Sequence, residues 1–311
     1  MADCEDEGDG EMAINPAITS RSKDEDEAEQ MQNNIIKMEE YEYILHRSHH
    51  KVLVRQLPSR GLSFQVWPAA SALCWFLDET FWHYSGVITT AHQDAPTPTS
   101  IPICTKQQSA NGFELNPEVG HISHQLLHSR GNRQALRVLE LGAGTGMVGI
   151  ASAFLGAHVT ITDLPHVLPN LLFNATANEE SLRATGLGGC VCVKALRWGE
   201  EKDARDVGHR NFDLVLASDV VYHENLFDPL LLTLKWLLLG INDDGGQVAG
   251  EGNPIVLMAH LRRWKKDAHF FKKAKKLFDV RVVHRHPPKP GSRLGVAIYS
   301  FTNKGMNRAS V

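Results

Sequence analysis

Near the middle of the chain an apolar segment, Leu136–Leu141, runs directly into the tract Gly142-Ala143-Gly144-Thr145-Gly146. The next residues, Gly146–Phe154, are apolar at helical spacing. A strand that turns abruptly into a helix through glycines admits few folds. Glycine lets the backbone reverse and approach a ligand closely, and the first turn of the helix offers unpaired N–H groups. The alternation then continues: strand His158–Thr162, helix Pro165–Asn178, strand Cys190–Leu196, a loop, strand Phe212–Ala217, helix Leu226–Leu239, strand Ile255–Ala259 and a basic helix Arg263–Phe278. Strands alternating with helices predict an α/β fold, a largely parallel sheet covered on both faces. Only a turn with Pro287, Pro288 and Pro290 separates Val280–Arg285 from Gly295–Phe301. These last two strands are therefore expected to pair antiparallel, as a hairpin or a reversed edge. Ligands of open α/β sheets bind beyond the carboxyl ends of the strands, where the glycine tract lies.

The chain before this core divides into three. Residues 1–38 are acidic and almost free of aromatics, too polar to offset their ordering entropy, and are expected to form a disordered tail. Residues 39–83 carry two short strands, Tyr41–Leu45 and Lys51–Leu57, joined by a turn at His46–His50. Pro68 then opens a helix, Ala69–Thr80, with Leu73 and Leu77 on one face. Residues 84–134 lack sustained periodicity and read as an insertion with a short helix near His121–His128. The core spans 135–303, and 304–311 is a short tail.

The formal net charge of -4 averages over these unlike parts. Residues 1–40 carry about ten more acidic than basic groups, and 262–285 about eight more basic than acidic. With 42% hydrophobic and 22% charged residues, the composition excludes a coiled coil, a collagen-like fibre and a wholly disordered chain. Met1–Gly10 is acidic, unlike a signal or transit peptide. The greasiest run, Leu226–Leu239, is interrupted by Asp228, Pro229 and Lys235 and is too short to span a bilayer of about 30 Å. The five cysteines include no CxxC, and Cys190 and Cys192 alternate on one strand face as buried cysteines do. A reducing compartment, cytoplasmic or also nuclear, is expected, with no membrane association.

Two ligand classes compete for the glycine tract. Gly144–Gly149 satisfies GxGxxG, and Asp163 follows roughly 20 residues on, where a dinucleotide-binding acid is expected. Three features favour adenosyl-methionine. Glu140 stands two residues before the first glycine, a carboxylate suited to a ligand with a cationic amino end. The tract begins early, so the fingerprint falls mostly inside the helix. Asp219, after Ser218, sets a second carboxylate at the same sheet edge. Another nucleotide, or a turn without a ligand, remain the alternatives. Asp163 ends its strand, where it can accept both ribose hydroxyls or cap the helix before Pro165.

The segments Trp67-Pro-Ala-Ala, Val138–Ile150, Leu196-Arg-Trp-Gly-Glu200 and Leu216-Ala-Ser-Asp-Val-Val-Tyr222 occur in that order. Together they resemble the family-16 seven-β-strand protein methyltransferases, notably the methyltransferase-like 21 group. The resemblance implies a class I, Rossmann-like S-adenosylmethionine methyltransferase with an N-terminal hairpin and helix extension. It implies that Trp67, Gly142, Ala143, Gly144, Gly146, Asp163, Trp198 and Ser218, with Glu140, bind the cofactor, Trp198 against the adenine. Asp219 and Tyr222 would face the methyl acceptor, with Asp219 orienting the substrate amine. Pro68 departs from the family, which often carries an acid there, and the insertion is longer than expected. The implied activity is methyl transfer to a lysine of a protein substrate, a chaperone, ATPase or translation factor, by a monomer. The rival readings are an NAD-type oxidoreductase and a non-catalytic cofactor-binding interaction module. Sixteen histidines invite a metal, but neither His121, His124 and His128 nor His46, His49 and His50 is completed by a Cys or carboxylate at ligand spacing, so no metal is expected. The basic helix reads as a solvated face on a core-packed element, with Trp264, Ala268, Phe271 and Phe278 inward, and nucleic acid is not the expected partner.

Overall fold

The computed structural model describes residues 38–90, 135–208, 211–240, 254–288, 291 and 294–304, with the backbone alone for 81–90. The acidic N-terminal segment up to residue 37, residues 91–134 with their expected helix, and residues 305–311 lie outside it. Nine strands and seven helices of six residues or more are described: β1 Glu39–Ile44, β2 Lys51–Gln56, α1 Pro68–Thr90, β3 Arg137–Leu141, α2 Met147–Phe154, β4 His158–Asp163, α3 Leu168–Ala177, α4 Glu179–Ala184, β5 Cys190–Ala195, α5 Glu201–Val207, β6 Leu214–Ser218, α6 Phe227–Leu239, β7 Ile255–Leu261, α7 Asp267–Leu277, β8 Phe278–His286 and β9 Val296–Asn303.

β1 and β2 pair antiparallel, and the other strands form one seven-stranded sheet of order β5-β4-β3-β6-β7-β9-β8. β5, β4, β3, β6 and β7 are parallel. β9 runs antiparallel between β7 and β8, so the reversed strand sits one place inside the edge. Alternation along each strand builds two apolar layers. Val138, Leu214, Leu216, Ile255 and Leu257 join Leu73, Leu77, Ile150 and Leu171 beneath α1, α2 and α3. Leu139, Leu141, Val215, Val256 and Met258 join Leu230, Leu234, Phe270 and Ala274 beneath α6 and α7. Among the described residues no helix is long and apolar enough to cross a membrane.

Several elements differ from expectation. α1 continues ten residues past Thr80, into the segment read as insertion. α4 and α5, too short to show a periodicity, lie where the sequence suggested a helix end and a loop. Cys190 and Cys192 are exposed, because β5 is an edge strand whose other face, Val191 and Val193, packs on the core. α7 begins at Asp267, four residues later than predicted. Trp264 and Ala268 are exposed, while Phe270, Phe271 and Ala274 point inward.

The hairpin is joined to the core at both ends. At its tip the Arg47 guanidinium forms two parallel bonds of 2.9 Å to Glu79, which is buried on α1. Along its length, β2 presents an edge with no strand partner. Three asparagines four residues apart on α3 and just beyond it replace the missing strand. Asn178 accepts from Leu53 N–H (2.9 Å) and donates to Leu53 C=O (2.6 Å). Asn174 accepts from Arg55 N–H (2.8 Å) and donates to the carbonyls of Arg55 (3.2 Å) and Thr145 (2.9 Å). Asn170 accepts from Arg55 Nε and donates to Arg55 C=O. An unpaired buried amide costs about 1–3 kcal/mol. Asn174→Ala, which strands the Arg55 N–H and the Thr145 carbonyl, is therefore expected to lower unfolding stability by about 2–4 kcal/mol in denaturant titration.

Candidate active site

Every parallel strand delivers residues to one place. In register, Leu141 of β3 lies beside Thr162 of β4 and Ala217 of β6, and Ser218 of β6 lies beside Ala259 of β7. The carboxyl ends of these strands therefore finish together. Beyond them lies a cavity of about 500 Å³. Its floor is Gly142–Thr145, and its sides are Asp163 at the end of β4, Leu196 and Trp198 after β5, Ser218, Asp219, Val220 and Tyr222 at and after the end of β6, and Arg263 and Trp264 after β7. The N-terminal extension closes it with Leu62, Ser63, Gln65, Val66, Trp67 and Ala70.

The glycine turn is held from several directions. Ala143 N–H donates to Thr162 C=O (2.9 Å), and Gly144 N–H donates to Asp163 Oδ2 (2.8 Å). Gly142 and Gly144 have φ of +59° and +58°, which favours glycine. A Cβ on Gly142 would stand 2.9 Å from the Trp198 ring, and one on Gly144 would stand 3.0 Å from the Ser63 carbonyl. The turn is therefore pressed between Trp198 and the extension, a cradle with room for a ligand but not for its own side chains.

The carboxylates behave differently from one another. Asp163 faces the cavity, with Oδ1 taking Leu164 N–H at 2.7 Å and Oδ2 the Gly144 amide. Burial raises its pKa, opposed by those two N–H donors. Lone pairs remain on both oxygens for hydroxyl donors. Glu140 does not reach the cavity. It is 1% exposed and accepts Gly149 N–H at 2.8 Å, so it braces the first turn of α2 instead of meeting a cationic ligand. Gly146, expected at the ligand, lies outside the cavity lining: a Cβ there would stand 2.9 Å from Leu171 and 3.1 Å from Ile161 in the core. Gly149, the last fingerprint glycine, lets α2 lie against β4, since a Cβ there would stand 2.2 Å from Ile161.

Asp219 has φ of +54°, uncommon outside glycine though tolerated by aspartate. Its carboxylate is only 4% exposed. Oδ1 accepts Leu261 N–H (3.1 Å), and Oδ2 pairs with the Arg263 guanidinium (2.9 Å), which lies 5.2 Å from the Trp67 ring. Behind it, buried His260 sits between Asp219 (3.8 Å) and Asp267 (3.3 Å), its pKa lowered by burial against the pull of both acids. Asp219 is thus a carboxylate in the cavity wall that is already paired with Arg263. Tyr222 lines the cavity half-buried, and burial, with Asp163 nearby, pushes its phenol upward, so the hydroxyl keeps its proton at neutral pH. Trp67 donates its indole N–H to Leu62 C=O (2.9 Å) and presents a ring to the cavity. Arg263 and Ser63 were missed as wall residues; Arg263 follows a strand at the ligand-binding sheet edge, a signal that was there to be read.

A family model described as lysine methyltransferase matches residues 46–277, which takes in the extension from the hairpin turn onward, the glycine turn and every strand-end residue above. The chain belongs to this lysine methyltransferase family. A protein N-lysine methyltransferase from Danio rerio is 39% identical over 148 residues, 48% of this chain and 60% of that one. EEF1A lysine methyltransferase 3 from Xenopus tropicalis is 36% identical over 49% of this chain and 57% of that one. A protein-lysine N-methyltransferase from Saccharomyces cerevisiae is 35% identical over 55% and 67%. The matches cover about 60% of the length of these relatives. The seven-stranded mixed sheet flanked by helices is the class I methyltransferase architecture, and the family implies S-adenosylmethionine as cofactor. The cavity fits such a group: side-chain-free glycines under it, an acid with spare acceptor capacity for a ribose, and apolar ring walls.

Burial pushes the Glu140 carboxyl from its ordinary 4.5 up to about 8, with the Gly149 N–H opposing and Asp163 reinforcing. The folded state therefore binds a proton that the unfolded chain has already released. The resulting stabilisation is complete below pH 4.5 and is lost as pH climbs through about 8. Melting temperature should fall from pH 5 to pH 9, and Glu140→Gln should flatten that fall; parallel curves for the two proteins would refute this account.

Proposed function

We propose that the chain is an S-adenosylmethionine-dependent protein-lysine methyltransferase. The observation that carries this reading is the meeting of the family's motif residues, Trp67, Gly142–Gly144, Asp163, Trp198, Ser218 and Tyr222, in the wall of one cavity at the strand ends. Asp163 is assigned to the ribose hydroxyls, Gly142, Ala143 and Gly144 to close backbone approach, and Trp198 and Trp67 to apolar walls that exclude water. Ser218 lies beside them. Such a cavity holds two reactants in line, which is most of what a displacement on carbon needs. S-adenosylmethionine, when bound, supplies an electrophilic methyl group whose leaving group is a neutral thioether.

The lysine must arrive neutral. At a reference pKa near 10.4, only about one lysine in several thousand is uncharged at pH 7. A lone carboxylate would hold the proton on the amine more firmly. Arg263 prevents this by pairing with Asp219, so Asp219 acts as a positioning residue that fixes Arg263 and the β7 end. Tyr222, protonated, orients the amine by hydrogen bonding while the proton leaves to solvent. The relatives' names point to a protein substrate, and one of them, an EEF1A lysine methyltransferase, to a translation factor as the leading class; a chaperone or ATPase is the class the family resemblance adds. A monomer in the cytoplasm, and also the nucleus, is the setting we assign, in keeping with the exposed free cysteines Cys190 and Cys192.

Calorimetry with S-adenosylmethionine, its demethylated product and NAD tests the cofactor, with binding of the first two expected and no heat from NAD. Labelled methyl transfer into a cell extract, followed by mass spectrometry, tests the acceptor. Tyr222→Phe should lower turnover roughly tenfold to a hundredfold, within the range of a lost positioning or acid–base contact, and leave cofactor affinity near wild type. Wild-type turnover in that variant would remove Tyr222 from the mechanism.

A further inference from the structure

The segment between β7 and α7 is a built feature with no packing role that explains it. Asp267, 1% exposed, accepts the backbone N–H groups of Arg263 (3.3 Å) and Trp264 (3.1 Å) with a single oxygen. Asp219 accepts the N–H of Leu261 and the head of Arg263. Two buried carboxylates thus fix the backbone of a surface loop. What the loop presents is Trp264, 60% exposed yet part of the cavity wall, flanked by Arg262 and Lys265. Both cations are exposed and have no acidic partner among the described residues. The next exposed charges outward on α7 are also mostly basic: Lys272, Lys275 and Lys276 are exposed, Lys273 pairs with Asp228, and His269 stands 3.8 Å from Glu224. An exposed tryptophan and arginine on a loop whose backbone is held are the residue types that dominate protein recognition.

The sign of this charge decides what can dock. The acceptor lysine is itself a cation, and the nearby carboxylates are buried, Asp219 in the wall paired with Arg263 and Asp267 behind it holding the loop amides. A lysine on a neutral or basic surface would be repelled at the cavity mouth. We infer that the loop 262–266 is the substrate-docking surface and that it takes a protein segment in which the acceptor lysine is flanked by aspartate or glutamate side chains, Trp264 packing on the segment and Arg262 and Lys265 pairing with its acids. This rests on the reading of the cavity as a lysine methyltransferase site.

The test uses the full chain saturated with S-adenosylhomocysteine and two fluorescent peptides with one central lysine, flanked either by Asp and Glu or by Asn and Gln. The acidic peptide should bind about tenfold more tightly at low salt, the gap shrinking as ionic strength rises. Arg262→Glu with Lys265→Glu should abolish or invert the preference, with S-adenosylhomocysteine affinity unchanged by calorimetry. Trp264→Ala should weaken both peptides. Equal affinity for the two peptides, or a preference that survives the double charge reversal, would overturn the inference. A flank preference that behaves as expected, in a protein that labels nothing in an extract, would uphold the docking surface and sink the enzymatic reading instead.

Discussion

The outer edge of β2 is where the fold and the site depend on each other. Leu53 and Arg55 point backbone amides and carbonyls away from β1 with no strand to receive them, and an open edge of that kind either pairs with something or becomes a liability. The side-chain amides of Asn170, Asn174 and Asn178 pair with it. Because Asn174 also donates to Thr145 C=O, one residue ties the N-terminal extension to the glycine turn. The cavity needs both. Its floor belongs to the sheet and much of its wall, Leu62, Ser63 and Gln65 to Trp67, to the extension, and the Ser63 carbonyl lies 3.0 Å from where a Gly144 Cβ would be. The extension is therefore part of the site's construction and not an appendage beside it.

A second constraint is backbone satisfaction at the sheet edge. Four buried carboxylates, Glu140, Asp163, Asp219 and Asp267, stand at or near the strand ends, and each accepts at least one main-chain N–H: Gly149, Gly144 with Leu164, Leu261, and Arg263 with Trp264. Every one holds a turn in place. Read as sequence, a carboxylate beside a glycine tract suggests a ligand contact. In the folded chain the first duty of these groups is to organise loops; Asp163 and Asp219 combine that duty with a place in the cavity wall, Asp219 with Arg263 as its partner.

That contrast marks how far the sequence could be read. The alternation of strands and helices, the reversed final pair and the glycine turn were all legible, because periodicity and glycine spacing are local properties. Asp163, Ser218, Tyr222, Trp67 and Trp198 were legible as a group through the family resemblance, and each lies in the cavity wall. What failed depended on non-local facts. Glu140 reads like a ligand until α2 folds over it. Cys190 and Cys192 read as buried until β5 turns out to be an edge. Trp264 fits a helical stripe until Asp267 captures its amide and delays the helix. The asparagine ladder did leave a trace, three amides at intervals of four, but a polar stripe on a helix ordinarily means a solvated face.

The pairing of Arg263 with Asp219 resolves a difficulty that any lysine methyltransferase faces. Attraction and reactivity make opposite demands on a carboxylate near the acceptor: the charge that draws an ammonium in also raises its pKa, and each unit upward lowers the neutral fraction about tenfold. Here the carboxylate is paired with the Arg263 guanidinium at 2.9 Å. Attraction is left to groups on the substrate, drawn by cations at the mouth, where they do not touch the reacting nitrogen. Capture and deprotonation are separated in space, and a buried aspartate in an unusual backbone conformation is the structural cost of that separation.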